Sequence, residues 1–138
     1  MPRKSDALRG LQTLGVRLER LESSTLRVAN WLATQPDIKA VFHPALASCP
    51  GHKFWQRDFT GSASVFSILF RREVDPEQVE AFVDSLRLFK IGFSWGGATA
   101  LAILYPKLDR PGKDYDGRLV RLNIGLEEPC DLIDYLRT

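Results

Sequence analysis

The feature of this sequence that most constrains its fold is a stripe of apolar and small side chains near the N-terminus. These residues recur in alternating steps of three and four, the spacing of one helix face: Leu11, Leu14, Leu18, Leu21, Thr25, Val28 and Leu32. A coiled-coil seam is the alternative, but Gly10 and Gly15 weaken its start, and Thr25 stands where Leu or Ile is expected. We therefore predict a long helix over residues 1–35 that packs on a domain core.

The rest of the chain, residues 36–138, predicts an α+β domain. Strand-like segments occur at 38–42, 64–71, 88–91, 98–104 and 119–124, and helices begin at Pro76 and Pro129. Residues 43–61 are rich in Pro and Gly and predict a long loop with one helical turn. This order of elements predicts a mostly antiparallel sheet with helices on one face.

Composition excludes several classes of function. The chain has 138 residues, 44% of them hydrophobic, which is typical of one globular domain. Its 19 basic and 17 acidic residues give a net charge of +2 without a basic tract, so no nucleic-acid partner is expected. Apolar runs are far shorter than the roughly 20 residues that span a bilayer, so no membrane partner is expected. With two cysteines and no signal peptide, we expect a cytoplasmic protein.

The segment Gly92-Phe93-Ser94-Trp95-Gly96 matches G-x-S-x-G, the turn that exposes a nucleophilic serine in hydrolases. In that fold the catalytic histidine follows the serine, whereas His43 and His52 both precede Ser94. A hydrolase is therefore disfavoured.

A metal site is also disfavoured. His43, Cys49 and His52 share one loop and Cys130 is distant, but their spacing matches no recognised zinc motif. We expect no metal.

Arg121 lies within the apolar segment Leu119-Val120-Arg121-Leu122-Asn123-Ile124, where an unpaired guanidinium is costly and an anion is needed. That anion is either a carboxylate of this chain, in a structural ion pair, or the carboxylate of a substrate held in bidentate fashion. Ser94, Trp95, Gly96 and Gly97 predict either a second anion-binding element or a tight turn with a buried tryptophan.

Several long motifs in one order resemble the C-terminal domain of the cystathionine beta-lyases, in the Cys/Met-metabolism group of fold-type I pyridoxal-phosphate enzymes. They cover nearly the whole chain: 11–18 (LQTLGVRL), 43–46 (HPAL), 51–61 (GHKFWQRDFTG), 94–97 (SWGG) and 119–127 (LVRLNIGLE). The resemblance implies that residues 1–35 form an interdomain helical segment, that residues 36–138 form the C-terminal small domain, and that the large cofactor-binding domain is absent.

The resemblance also implies roles for individual residues. Arg121 is similar to the arginine that binds the substrate α-carboxylate, and Ser94 with Trp95 is similar to the loop that helps to hold it. Phe93 is the fourth substrate-binding residue that the resemblance implies, although a tyrosine is common at its position. This departure and Ala98-Thr99-Ala100, which replaces a pattern with Glu, leave the substrate preference open. Tryptophan after the serine is similar to beta-lyases, which split cystathionine into homocysteine, pyruvate and ammonia in methionine biosynthesis and transsulfuration. Gamma-synthases and gamma-lyases remain alternatives.

The resemblance implies pyridoxal phosphate as cofactor of the complete enzyme, bound covalently by a lysine upstream of the matched region. None of the six lysines of this chain stands in that motif: Lys4, Lys39, Lys53, Lys90, Lys107 and Lys113. We therefore expect no cofactor-binding residue here, no activity of this chain alone, and the large domain or homologous subunits of a homo-oligomer as partners. A non-catalytic binding or assembly module is the alternative.

Overall fold

The computed structural model describes residues 4–93, 96–108 and 115–137, with side chains from Asp6 onward. These residues form five helices and one five-stranded sheet. The helices are α1 Lys4–Gln12, α2 Leu14–Leu32, α3 His52–Asp58, α4 Pro76–Ser85 and α5 Pro129–Leu136. The strands are β1 Ile38–Phe42, β2 Val65–Phe70, β3 Lys90–Ile91, β4 Leu101–Tyr105 and β5 Leu119–Asn123.

The strand order is β1-β2-β5-β4-β3, with β5 at the centre. All neighbouring pairs are antiparallel except β3 and β4, which are parallel. The predicted α+β fold with a mostly antiparallel sheet is therefore confirmed.

One face of the sheet carries the hydrophobic core. Alternate residues of the central strands point to this face and are buried, among them Phe66, Ile68, Ala102, Val120 and Leu122. Three helices cover them with their own buried residues: Val28, Ala29 and Leu32 of α2, Val79 and Val83 of α4, and Leu132, Ile133 and Leu136 of α5. These three helices do not cover the opposite face of the sheet.

The predicted single N-terminal helix is interrupted at Thr13, whose ψ of 6° departs from helical geometry. The Arg17 side chain spans the break, donating from Nη2 to the Gly10 carbonyl oxygen at 2.7 Å and from Nε to Thr13 Oγ1 at 3.3 Å. Glycines on both sides lower the helix propensity, so the seam does not hold one continuous helix. The prediction of one long helix was wrong at this point.

The apolar stripe divides at the middle of α2. Its second half, Leu21, Thr25, Val28 and Leu32, is buried, whereas Leu8, Leu11, Leu14, Val16 and Leu18 are 41–73% exposed. None of the helices among the described residues combines the length and apolar composition that crossing a bilayer requires.

The larger differences from the predicted boundaries concern α3 and β4. The long loop contains α3, which spans seven residues where one turn was expected. Strand β4 begins at Leu101, because residues 98–100 are bonded to the end of β5 and its following turn instead of continuing the ladder.

Candidate functional site

Arg121 lies at the middle of β5, the central strand, opposite Ser67 of β2 and Ile103 of β4. Its neighbours Val120 and Leu122 point into the core, so the guanidinium leaves the sheet on the face opposite α2, α4 and α5. The side chain is partly buried on a strand that is hydrogen-bonded on both sides. Arg121 is therefore a cationic side chain on a strand whose backbone is held by both neighbouring strands.

Among the described residues the guanidinium makes one hydrogen bond. Nη1 donates to the Tyr105 hydroxyl at 3.4 Å, a long contact. Among the described residues Arg121 forms no ion pair with a carboxylate. The structural ion pair considered from the sequence is thus not found in the described part of the chain, and the N–H donors of Arg121 are available to an external anion.

The segment that follows Trp95 is attached to the end of β5. The buried Asn123 donates from Nδ2 to the carbonyl oxygens of Gly97 at 3.2 Å and Thr99 at 2.8 Å. The Ala100 N–H donates to Glu127 Oε1 at 2.9 Å, and the Leu126 N–H donates to the Ala98 carbonyl oxygen at 2.8 Å. The strand that carries Arg121 therefore also anchors this segment.

Of the other predicted substrate-binding residues, Phe93 is described and its side chain is 66% exposed. Ser94 and Trp95 lie outside the described residues. Gly96 has a φ of +71°, a left-handed conformation that favours glycine, and a Cβ there would lie 3.9 Å from Ser64 Oγ. Gly96 thus lies near Ser64, whose hydroxyl donates to Asn123 at the end of β5.

The buried His43 has a packing role. Its Nδ1 accepts from the Ala45 N–H at 3.2 Å, its Nε2 lies 3.4 Å from the Ala63 carbonyl oxygen, and its ring meets Phe66 edge to face at 5.7 Å. Burial lowers the pKa of His43, while the Ala63 hydrogen bond and the charge of Glu22 oppose that shift. No group of three metal-ligating side chains occurs among the described residues.

The lysines do not fit a covalent cofactor site. Lys39, Lys53, Lys90 and Lys107, whose side chains are described, are all exposed. A lysine that bonds a cofactor carbonyl at neutral pH is usually desolvated in a pocket or placed beside another cation. These exposed amines have no such enclosure, whereas Arg121 fits the role of holding a carboxylate.

Reasoning from the sequence did not identify Asn123 and Glu127. A signal was present, because Asn123 is a polar residue in an apolar strand and shares a face with Arg121 two residues before it. Its partners are 24 and 26 residues away in the sequence, so the bonds themselves were not predictable.

Comparison with known proteins places this geometry in context. The chain is 42% identical over 135 residues to a cystathionine beta-lyase of Haemophilus influenzae, covering 94% of this chain and 34% of that protein. It is 44% identical over 131 residues to the cystathionine beta-lyase of Escherichia coli, covering 91% of this chain and 33% of that protein.

Among solved structures, a cystathionine gamma synthase of Xanthomonas oryzae, in complex with aminoacrylate and cysteine, superposes with a TM-score of 0.81. Its sequence is 31% identical, and the match covers 94% of this chain and 35% of that one, which confirms the predicted small-domain fold. The chain spans about a third of the length of the curated relatives it matches. The family described as Cys/Met metabolism PLP-dependent enzymes matches residues 5–138, and this chain belongs to that family.

Proposed function

We propose that this chain is the substrate-carboxylate-binding part of a pyridoxal-phosphate-dependent carbon–sulfur beta-lyase that splits cystathionine into homocysteine, pyruvate and ammonia. The observation that carries the proposal is the position of Arg121, a partly buried guanidinium on the central strand without an ion-pair partner among the described residues. Two relatives of the chain, at 42% and 44% identity, are named cystathionine beta-lyases, which supports the proposed cleavage of cystathionine.

In this proposal Arg121 binds the α-carboxylate of the amino acid through paired N–H donors, a geometry that fixes both position and orientation. Ser94 and Trp95 contribute donors to the same carboxylate, and Phe93 lines its approach. Pyridoxal phosphate, when bound in the complete enzyme, accepts the electrons released at the substrate α-carbon. The chain itself orients the substrate for that chemistry.

The lysine that binds the cofactor belongs to a part of the enzyme outside this chain. We propose residues 1–35 as the interdomain segment, 36–138 as the small domain, and the cofactor-binding domain or homologous subunits as partners. The exposed part of the stripe, Leu11, Leu14 and Leu18, supports association, because exposed apolar side chains at the spacing of one helix face favour burial. By itself the chain is expected to be inactive, and we propose a cytoplasmic location, which its free cysteines support.

A second candidate is a gamma-synthase or gamma-lyase activity. The likeness to the Xanthomonas oryzae cystathionine gamma synthase favours this candidate. The TM-score is 0.81, and the match covers 94% of this chain. The products of cystathionine distinguish a beta-lyase from a gamma-lyase, since cleavage at the β-carbon of cystathionine releases homocysteine and cleavage at the γ-carbon releases cysteine. The exposed stripe on α1 and α2 would also serve a non-catalytic assembly module.

A chimeric enzyme tests the proposal. The third of the Escherichia coli cystathionine beta-lyase that this chain matches is replaced by residues 5–138, and the parent enzyme is the control. The isolated chain is assayed in parallel, alone and mixed with the separately produced remainder of the parent. Cofactor absorbance reports on assembly, and homocysteine, cysteine and pyruvate are measured as products of cystathionine.

We expect the chimera to release homocysteine and pyruvate, and the isolated chain to release neither. Arg121→Met in the chimera should lower kcat/KM by two or more orders of magnitude, because one partner of a desolvated charge pair is removed. Arg121→Lys, which keeps the charge without the fork, should recover a small part of the loss. A chimera with bound cofactor whose kinetics ignore Arg121→Met would contradict the assignment.

A further inference from the structure

Two side chains, Asn123 at the end of β5 and Glu127 in the turn after it, bond to backbone groups of residues 97–100. We call this set of contacts the clasp. Asn123 reaches two carbonyl oxygens of the segment, and Glu127 accepts the N–H of a third residue. The segment itself is exposed up to Ala100, whereas Asn123 is fully buried. The exposed residues 97–99 are thus held by hydrogen bonds from a buried side chain, Asn123.

The orientation of Asn123 is determined by its other hydrogen bond. Ser64 Oγ donates to Asn123 Oδ1 at 2.9 Å, which directs the amide NH₂ toward the carbonyl oxygens of Gly97 and Thr99. A carboxylate at this position would face both carbonyl oxygens without a proton to donate. The amide group thus supplies both the acceptor for Ser64 and the donors for the two carbonyl oxygens, which a carboxylate would not.

Gly125 allows the two pieces of backbone to approach closely. A Cβ on Gly125 would lie 2.5 Å from both the Ala100 nitrogen and the Ala98 carbonyl oxygen, and it would also collide with Glu127 Oε2. That oxygen of Glu127 is buried and has no hydrogen-bond partner among the described residues. Glu127 Oε2 lies over Gly125, and the space between the two pieces of backbone therefore admits only glycine at residue 125.

We propose that Asn123 and Glu127 are positioning residues that hold residues 97–100 against the strand that carries Arg121, and that the proposed carboxylate site depends on this attachment. Asn123 lies two residues after Arg121 on the same strand face, and Gly97 lies three residues after Ser94 in the chain. Loss of these bonds would release residues 97–100, which follow Ser94 and Trp95 in the chain, from the strand that carries Arg121. This inference rests on the proposed function and concerns how its binding site is held together.

Hydrogen exchange in the isolated 138-residue chain tests the clasp without any substrate. In Asn123→Asp and Glu127→Ala, the amides of Ala100 and Leu126 should exchange about tenfold faster or more, as expected when a buried hydrogen bond is lost. Glu127→Gln keeps an acceptor oxygen and should restore slow exchange at Ala100. Val83→Ala, a core change on α4, controls for general loss of stability and should not single out these amides.

Steady-state kinetics in the chimera test the functional consequence. Asn123→Asp and Glu127→Ala should raise the KM for cystathionine at least tenfold with a smaller change in kcat, and Glu127→Gln should rescue KM. Val83→Ala should leave KM near that of the unmodified chimera. A merely structural role would lower the amount of active enzyme and leave KM unchanged.

Faster exchange at Ala100 and Leu126 together with a raised KM supports the inference. Unchanged exchange in both variants overturns the clasp, and faster exchange with an unchanged KM overturns its functional role. If Arg121→Met has no effect on the chimera, the proposed function fails, and the proposed role of the clasp in substrate binding fails with it. The clasp itself is then still decided by the exchange measurement, so the two failures are distinguishable.

Discussion

Asn123 and Arg121 lie two residues apart on β5, with both side chains on the sheet face opposite the helices. Asn123 is fully buried and holds the Gly97 and Thr99 carbonyl oxygens, while Arg121 is partly exposed and has one long contact to the Tyr105 hydroxyl. One strand face therefore combines a satisfied structural amide with a cation whose donors are largely unused. In the proposed function, this division of roles separates the stability of the domain from substrate binding.

Replacing Arg121 should have little effect on folding. Because its guanidinium has no ion-pair partner in the described part of the chain, Arg121→Met keeps an apolar stem and leaves no buried carboxylate unpaired. We expect the free energy of unfolding to change by less than about 0.5 kcal/mol. Urea denaturation of the isolated chain, followed by circular dichroism, measures this.

Arg118 provides a matched control for Arg121 on the same part of the chain. Its Nε donates to the Val74 carbonyl oxygen at 2.7 Å and its Nη1 donates to the Asp116 carbonyl oxygen at 3.1 Å. Arg118→Met should therefore cost about 1.5–3 kcal/mol, the range for losing a hydrogen bond that involves a charged group, here to a partly buried carbonyl oxygen. Equal losses in the two variants would mean that Arg121 also has a structural role.

Stability should fall in mildly acidic solution because of His43. Burial lowers its pKa below the usual 6.5, so as the pH falls through that value the unfolded chain takes up a proton that the folded chain resists. The contribution of neutral His43 is complete above pH 6.5 and declines below it, by at most about 1.4 kcal/mol per pH unit for one proton. Urea titrations at several pH values between 5 and 8 measure the slope.

The matched variant for this pH dependence is His43→Asn. The amide oxygen of asparagine can accept the Ala45 N–H as Nδ1 does, but asparagine does not titrate. The variant should be less stable at pH 7.5, through lost contact with Phe66, and should have a shallower acid slope. An unchanged slope would assign the acid sensitivity to other groups.

A stabilising substitution is expected at Thr25. This residue is fully buried in α2, and its hydroxyl has no hydrogen-bond partner among the described residues. Thr25→Val keeps the β-branched shape and removes the unsatisfied group, so the free energy of unfolding should rise by about 1 kcal/mol. Thermal unfolding of the isolated chain measures the change, with Thr25→Ser, which keeps the hydroxyl and removes a methyl group, as a destabilised comparison. A fall in stability in Thr25→Val would indicate that the hydroxyl is satisfied in solution.

The sequence by itself determined the order of helices and strands, because periodicity and capping are local. Pro76 begins a helix, and Gln78 accepts the Asp75 N–H at 2.9 Å as expected for a helix start. The sequence also marked Arg121 as a cation that needs an anion, since burial of its strand neighbours follows from alternation alone.

Only the tertiary structure decided what surrounds that cation and what holds the neighbouring segment. Three features depend on how elements meet in space: the lack of an ion pair of Arg121 among the described residues, the break at Thr13, and the bonds from Asn123 and Glu127. The Glu127 bond joins residues 27 positions apart, and a sequence does not specify the distances between such side chains and backbone groups. The sequence therefore predicted a carboxylate-binding candidate, and packing of the sheet decided whether its donors are free to bind.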